Sequence, residues 1–107
     1  MNTTSITLAG KARQLTFDKH ALARFGQQRG TFTGLFDDGQ RYFTILLLAW
    51  ASAEPSVRQD YSEPVALASE IEPDDEEKTG AILSAAKEAG WLQGLEKTLK
   101  QFVRSES

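Results

Sequence analysis

The chain contains no cysteine and only one histidine, His20. Without cysteine there can be no disulfide, no thiolate metal site and no cysteine nucleophile, a composition that suits a reducing compartment. With one histidine, a metal site would need carboxylates alone, and a Ser–His pair would need an orienting acid from elsewhere. His20 therefore reads as a solvated or partly packed helix residue. No apolar run approaches the roughly 20 residues that span a bilayer. The start, Met1-Asn2-Thr3-Thr4-Ser5, has neither the basic region nor the apolar stretch of a signal peptide, so a cytoplasmic protein is expected. A concentrated basic face is also missing. The net charge is −3, and the 12 Lys and Arg are scattered along the chain. Nucleic-acid binders draw much of their affinity from phosphate neutralisation, so neither a nucleic acid nor a membrane is an expected partner.

Three local patterns also fall short of a ligand site. The acidic run Glu70, Glu72, Asp74, Asp75, Glu76 and Glu77 lacks the Asp-x-Asp-x-Asp-Gly spacing that wraps a calcium ion. Gly30-Thr31-Phe32-Thr33-Gly34 has no following Gly-Lys-Ser/Thr, so it is not a phosphate loop. Gly90 to Gly94 has small-xxx-small spacing, which matters in an apolar membrane helix and not in this polar setting. No cofactor, no metal and no enzymatic activity are expected.

What the chain does have is one core element. At 107 residues, 40% hydrophobic and 25% charged, it has the composition of one globular domain. Its most apolar stretch, Tyr42 to Ala51, keeps to no single face and must be covered on most sides. Its leucines and alanines favour a helix over about 39–53, started near Asp37-Asp38-Gly39 and ended by Glu54-Pro55. Before it, Ser5 to Ala9 and Ala12 to Phe17 alternate in period two across Gly10-Lys11. This predicts a β-hairpin over 5–17 with Ile6, Leu8, Leu15 and Phe17 on one face. Asp18 is a good N-cap for a helix over 18–29, with Ala21, Leu22 and Phe25 as its apolar stripe, Arg24 solvated, and Gly30 as the stop. Phe32, Leu35 and Phe36 are expected to pack back onto the core. Glu54 to Tyr61 reads as a polar loop, and 63–71 as a short helix with Pro64 near its start. Acidic residues open a last helix over 74–103, whose stripe includes Ile82, Ala85, Ala89, Leu92, Leu95, Leu99 and Phe102 and which Gly90 interrupts. The expected fold is α+β, an N-terminal hairpin packed on a small, mainly helical domain.

Two surfaces stand out as partner-binding candidates. The acidic residues Glu70, Glu72, Asp74, Asp75, Glu76 and Glu77 form either a solvated helix start or a docking face for a basic partner. Trp91, Leu92, Leu95, Leu99 and Phe102 form either core or a helix-in-groove surface.

The order of parts resembles a known family over nearly the whole chain. Ile6-Thr7-Leu8-Ala9-Gly10-Lys11 and Leu15-Thr16-Phe17 lead into Ala21-Leu22-Ala23-Arg24-Phe25. There follow the apolar Leu48-Ala49-Trp50-Ala51, then Tyr61-Ser62-Glu63-Pro64-Val65-Ala66-Leu67-Ala68-Ser69-Glu70-Ile71, then the acidic-capped helix. This is similar to the small tail assembly chaperones of long-tailed bacteriophages and gene transfer agents. The resemblance implies a non-enzymatic factor of the bacterial cytoplasm, absent from the finished virion, that keeps the tape measure protein soluble while tail tube subunits polymerise. Tail tube subunits and self-association are further partners it brings into view. It also implies that the chain is the short form of a pair made by ribosomal frameshifting. A head–tail connector or tail terminator, and an acidic antitoxin-like regulator, stand as alternatives. On this reading, replacing Leu95 and Phe102 with Ser abolishes client solubilisation in a co-expression assay while circular dichroism shows a folded domain. Loss of the fold would assign both residues to the core.

Overall fold

Alternation along the first residues builds the hairpin. The computed structural model describes residues 2–28, 30, 32–36 and 39–91. Strands β1 (Asn2–Leu8) and β2 (Lys11–Phe17) pair antiparallel with Leu8 opposite Lys11. The two-residue turn is therefore Ala9-Gly10, one position before the expected Gly10-Lys11. Ala9 and Gly10 both have positive φ, 52° and 79°, as a type I′ turn requires. Ile6, Leu8, Leu15 and Phe17 are all buried. They form a diagonal, because Ile6 faces Arg13 while Leu15 faces Thr4. A lone hairpin is only marginally stable, and here helices cover both ends of that diagonal.

Helix α1 (Lys19–Gln27) starts where expected, with Asp18 Oδ1 accepting the Ala21 N–H at 2.9 Å. It ends at Gln27, short of the expected 29. Ala21 and Phe25 are buried, but Leu22 is 40% exposed. One residue on from Ala21 is about 100° of rotation, which carries Leu22 off the covered face. Gly30 is needed for a different reason from the one expected. It has no positive φ; instead the Phe25 ring lies so close that a Cβ at Gly30 would stand 2.6 Å from its Cζ. A 3-10 helix, Phe32–Phe36, follows and lies against the next helix with Leu35 buried. The side chains of Phe32 and Phe36 lie outside the described set.

Helix α2 (Arg41–Ser52) is the core. Every residue from Thr44 to Ala49 is buried. Its two buried hydroxyls are satisfied within the helix: Thr44 Oγ1 donates to Gln40 O at 2.9 Å, and Ser52 Oγ to Leu48 O at 2.8 Å. Its N-cap is Gln40, with no side-chain cap. The acidic start invoked from sequence, Asp37-Asp38, lies outside the described residues. At the other end Ala53 and Glu54 turn extended before Pro55, the conformation a following proline favours. That short extended piece bridges to β2 through Leu15 and Ala53, and the Glu54 N–H donates to Gln14 O at 3.0 Å.

The expected loop after α2 is instead a helix, α3 (Pro55–Asp60), started by Pro55 in its first turn, with Val57 fully buried. Polar composition hid it, since one apolar residue anchors the whole turn. The Trp50 indole N–H donates to Tyr61 O at 2.8 Å and ties the end of α3 back to α2. The segment expected as a short helix over 63–71 is a 3-10 helix, Pro64–Ser69, packed on α2 through Leu67. Helix α4 (Glu76–Glu88) is N-capped by Asp75 and packs on β1 and α2. It is much shorter than the expected 74–103. Gly90, at φ 82°, terminates it; Trp91 N–H bonds to Ala86 O and Gly90 N–H to Lys87 O, a Schellman pattern. Residues 92–107 lie outside the described set. Among the described residues no helix is long and apolar enough to cross a membrane.

The turn residue Ala9 occupies a left-handed conformation, which costs a non-glycine residue about 1–2 kcal/mol. Its N–H is held by Glu70 Oε2 at 2.7 Å. Ala9→Asn, which suits the same turn, is expected to raise stability by about 1 kcal/mol in urea unfolding with an unchanged m-value.

Candidate functional site

The six acidic candidates do not act as one group. Glu70 is committed to the fold: its carboxylate accepts the Ala9 N–H, and its carbonyl accepts Lys78 Nζ at 2.8 Å. Asp75 is committed too, capping α4 at the Lys78 N–H (3.1 Å) and lying 3.8 Å from Lys78 Nζ. Glu72, Asp74, Glu76 and Glu77 are exposed. Asp74 and Glu76 border a cleft of about 370 Å³ with Arg41, Tyr42, Ile45 and Pro73. Glu77 borders a neighbouring cleft of about 320 Å³ between β1 and α4, lined by Ser5, Ile6, Thr7, Lys78 and Ala81.

Tyr42 is the fixed point of the first cleft. Its hydroxyl donates to Ile71 O in a short hydrogen bond and lies 3.4 Å from Ala68 O. Burial raises its pKa, and the charge of Glu72 adds to the effect. A neutral phenol is thus favoured in the folded state.

Of the C-terminal candidates, Trp91 belongs with the core. Its ring meets Phe17 edge-on at 5.1 Å between centroids and lies 6.4 Å from Phe25. Such aromatic pairs contribute about 0.5–1.5 kcal/mol beyond area burial. Leu92, Leu95, Leu99 and Phe102 lie outside the described residues.

A second site escaped the sequence reading. A cleft of about 400 Å³ lies where the hairpin, α1 and the α2–α3 junction meet, lined by His20, Arg24, Ser52, Glu54 and Arg58 among others. Arg24, expected to be solvated, donates its Nε to Ala51 O at 2.8 Å, and Arg58 donates Nη1 to Ala53 O. Two arginines therefore serve the C-terminal carbonyls of α2. Burial, and then the charge of Arg24, lowers the pKa of Arg58. Asp18, whose pKa is lowered chiefly by the Ala21 N–H, is occupied as a helix cap. Glu54 accepts from Ser56 Oγ at 2.8 Å and from the Gln14 N–H at 3.2 Å, bonds that hold its carboxyl below the ordinary value. Its other partner is Arg13, which also pairs with Asp60 at 2.5 Å. Sequence hid this cleft because its two arginines are 34 positions apart and one fell in the expected loop.

His20 is exposed on the rim of the arginine cleft. Among the described residues no group of three or more His, Asp or Glu could hold a metal ion. Comparison with protein-family models, with curated proteins and with solved structures finds no match.

The raised Tyr42 pKa fixes a sign. Its contribution to stability is complete below the unfolded phenol value of 10.0 and is lost as pH rises through the higher folded value. Wild-type stability is expected to fall above about pH 10. Tyr42→Phe is expected to flatten that alkaline limb, at a cost of about 1 kcal/mol at neutral pH from the lost hydrogen bond. Urea midpoints measured across pH 7–11 check both.

Proposed function

We propose that this protein is a non-enzymatic assembly chaperone of the phage-tail type, whose client is the tape measure protein. One observation carries the reading onto the surface: a cleft with Tyr42, Ile45 and Pro73 as its apolar part, bordered by the acidic Asp74 and Glu76 and by Arg41. A long amphipathic client helix offers the complement, an apolar stripe flanked by basic side chains. Burying that stripe in a groove keeps it from aggregating, and the acidic border speeds encounter. Many copies along one client add avidity without any single strong contact. The order of elements supports the same reading, since hairpin, first helix, apolar helix, short helix and acidic-capped helix follow in the family's sequence.

On this reading the acidic candidates divide into two groups. Glu70 and Asp75 keep the domain together; Glu72, Asp74, Glu76 and Glu77 meet the client. The C-terminal stretch with Leu92, Leu95, Leu99 and Phe102 extends the apolar surface or serves self-association. The protein acts in the bacterial cytoplasm and leaves before the virion is complete.

The deciding experiment is co-expression with the long coiled-coil-rich protein encoded downstream, followed by size-exclusion chromatography of the soluble fraction. The client is expected to be insoluble alone and to co-elute with this protein. The triple variant Glu72→Lys, Asp74→Lys, Glu76→Lys is expected to slow association at least about tenfold at low salt, with a smaller effect at high salt. A client that stays insoluble beside abundant folded protein sinks the reading. Detection of this chain in purified virions by mass spectrometry would favour a connector or terminator instead.

A further inference from the structure

We propose that the groove between the outer edge of β1 and α4 binds an extended peptide segment of another protein, which adds to the hairpin as a third strand. The hairpin register fixes which main-chain groups are on offer. A two-residue turn makes Leu8 and Lys11 a hydrogen-bonded pair, and such pairs alternate along the ladder. Thr3, Ser5 and Thr7 therefore turn their N–H and C=O groups away from β2. On β2 the same alternation aims Gln14 outward. There its carbonyl accepts the Glu54 N–H at 3.0 Å and its N–H donates to Glu54 Oε2 at 3.2 Å. The β2 edge is thus occupied, whereas among the described residues nothing bonds to Thr3, Ser5 or Thr7 on the β1 edge. Edges are ordinarily blunted by charge, proline, a bulge or shortness. Strand β1 is seven residues long, Asn-Thr-Thr-Ser-Ile-Thr-Leu, with no charge and no proline, and its register is unbroken.

The surroundings state the chemistry of the occupant. A cleft of about 320 Å³ runs beside this edge, with Ser5, Ile6 and Thr7 on one side and Glu77, Lys78 and Ala81 on the other. A strand laid along β1 sends alternate side chains to opposite faces. Those on the α4 side meet Ile6 and Ala81, which suits valine or isoleucine. Those on the open side stand level with the exposed Thr3, Ser5 and Thr7, where hydroxyl pairs form across strands. Lys78 is already held by Glu70 O at 2.8 Å and by Asp75 at 3.8 Å. Glu77 is exposed and forms no ion pair among the described residues, so a basic residue on the peptide complements it. A second copy of this chain is the poorer fit. Two-fold pairing of β1 edges would bring both α4 helices, each packed on its own β1, together at one dyad. A lone strand needs only the groove, and main-chain bonds with alternate side-chain pockets are how strand addition achieves recognition.

The test uses the full chain and backbone-amide NMR with the probe acetyl-Lys-Thr-Val-Thr-Val-Thr-Lys-amide. The Thr3, Ser5 and Thr7 amides are expected to shift saturably, with Kd of about 1 mM or tighter, and those of Ser5 and Thr7 to exchange more slowly with solvent. N-methylation of the three probe threonines, whose N–H groups face β1, is expected to abolish binding. N-methylation of the two valines, whose N–H groups face away, is expected to retain it. Ser5→Pro removes one outward donor, leaves the β1–β2 hydrogen bonds in place and is expected to weaken binding at least about tenfold. Ala81→Phe, which fills the cleft from α4, is expected to do the same without touching the strand. Absence of saturable shifts overturns the proposal, as does equal binding of the two methylated probes. Ser5 and Thr7 amides already protected in the free protein also overturn it. Protection that grows with protein concentration would assign the edge to a second copy, and protection independent of it to residues 92–107.

Discussion

Thr44 to Ala49, six consecutive buried residues in α2, impose the constraint that the remaining elements satisfy. A helix covered on every side cannot be housed by one neighbour. The hairpin, α1, both 3-10 helices and α4 all lie against it. Burying a side chain such as Leu46 or Leu48 is worth about 1.5–3 kcal/mol, so this one segment supplies much of the force that holds the others in place. The rest are short elements, each anchored by one to a few apolar residues: Val57 for α3, Leu67 for the 3-10 helix before α4, and Ile82, Ala85 and Ala86 for α4 itself.

The two ends of the assembly are closed by polar contacts of high sequence separation. Glu70 holds the hairpin turn at Ala9 and, through its carbonyl, the start of α4 at Lys78. Pro55 makes Glu54 extended, which ends α2 and lets Glu54 bond along β2. The exposed edge of a two-stranded sheet is thereby partly covered, which limits edge-to-edge pairing with other chains. Arg24 and Arg58 meet at the same junction. Structural contacts thus leave the acidic border of the Tyr42 cleft with charge to spare, whereas the cleft at the end of α2 sets its two arginines beside the carboxylates of Asp18 and Glu54.

Only the first of these bears on the proposed chaperone role. The acidic border fits a basic, helical macromolecular client, where modest contacts repeated many times suffice. The arginine cleft instead closes the end of α2, with Arg24 and Arg58 on its carbonyls and Asp18 and Glu54 beside them.

Much of the architecture was legible in the chain itself because local physics determined it. Period-two alternation placed the hairpin, Asp18 supplied a cap, acidic residues marked the opening of the last helix, the Glu54-Pro55 step ended α2, and Gly90 stopped α4, each through a contact within a few residues. What failed depended on distant partners. Leu22 looked buried by its spacing but faces away from the covering elements, and Gly30 looked like a helix stop but makes room for a ring. The segment from Glu54 to Tyr61 looked like a loop because its one anchor, Val57, gains its value only from the core it enters. The candidate site was less legible still. Sequence grouped six acids by proximity, whereas tertiary structure spent Glu70 and Asp75 on the fold and moved Trp91 onto Phe17 and Phe25. It also brought Arg24 and Arg58 to the same carbonyl end. Caps, turns and periodicity act over one or two turns of chain and can be read there; which charges remain uncompensated depends on groups brought together from far apart, and only the folded structure decides that.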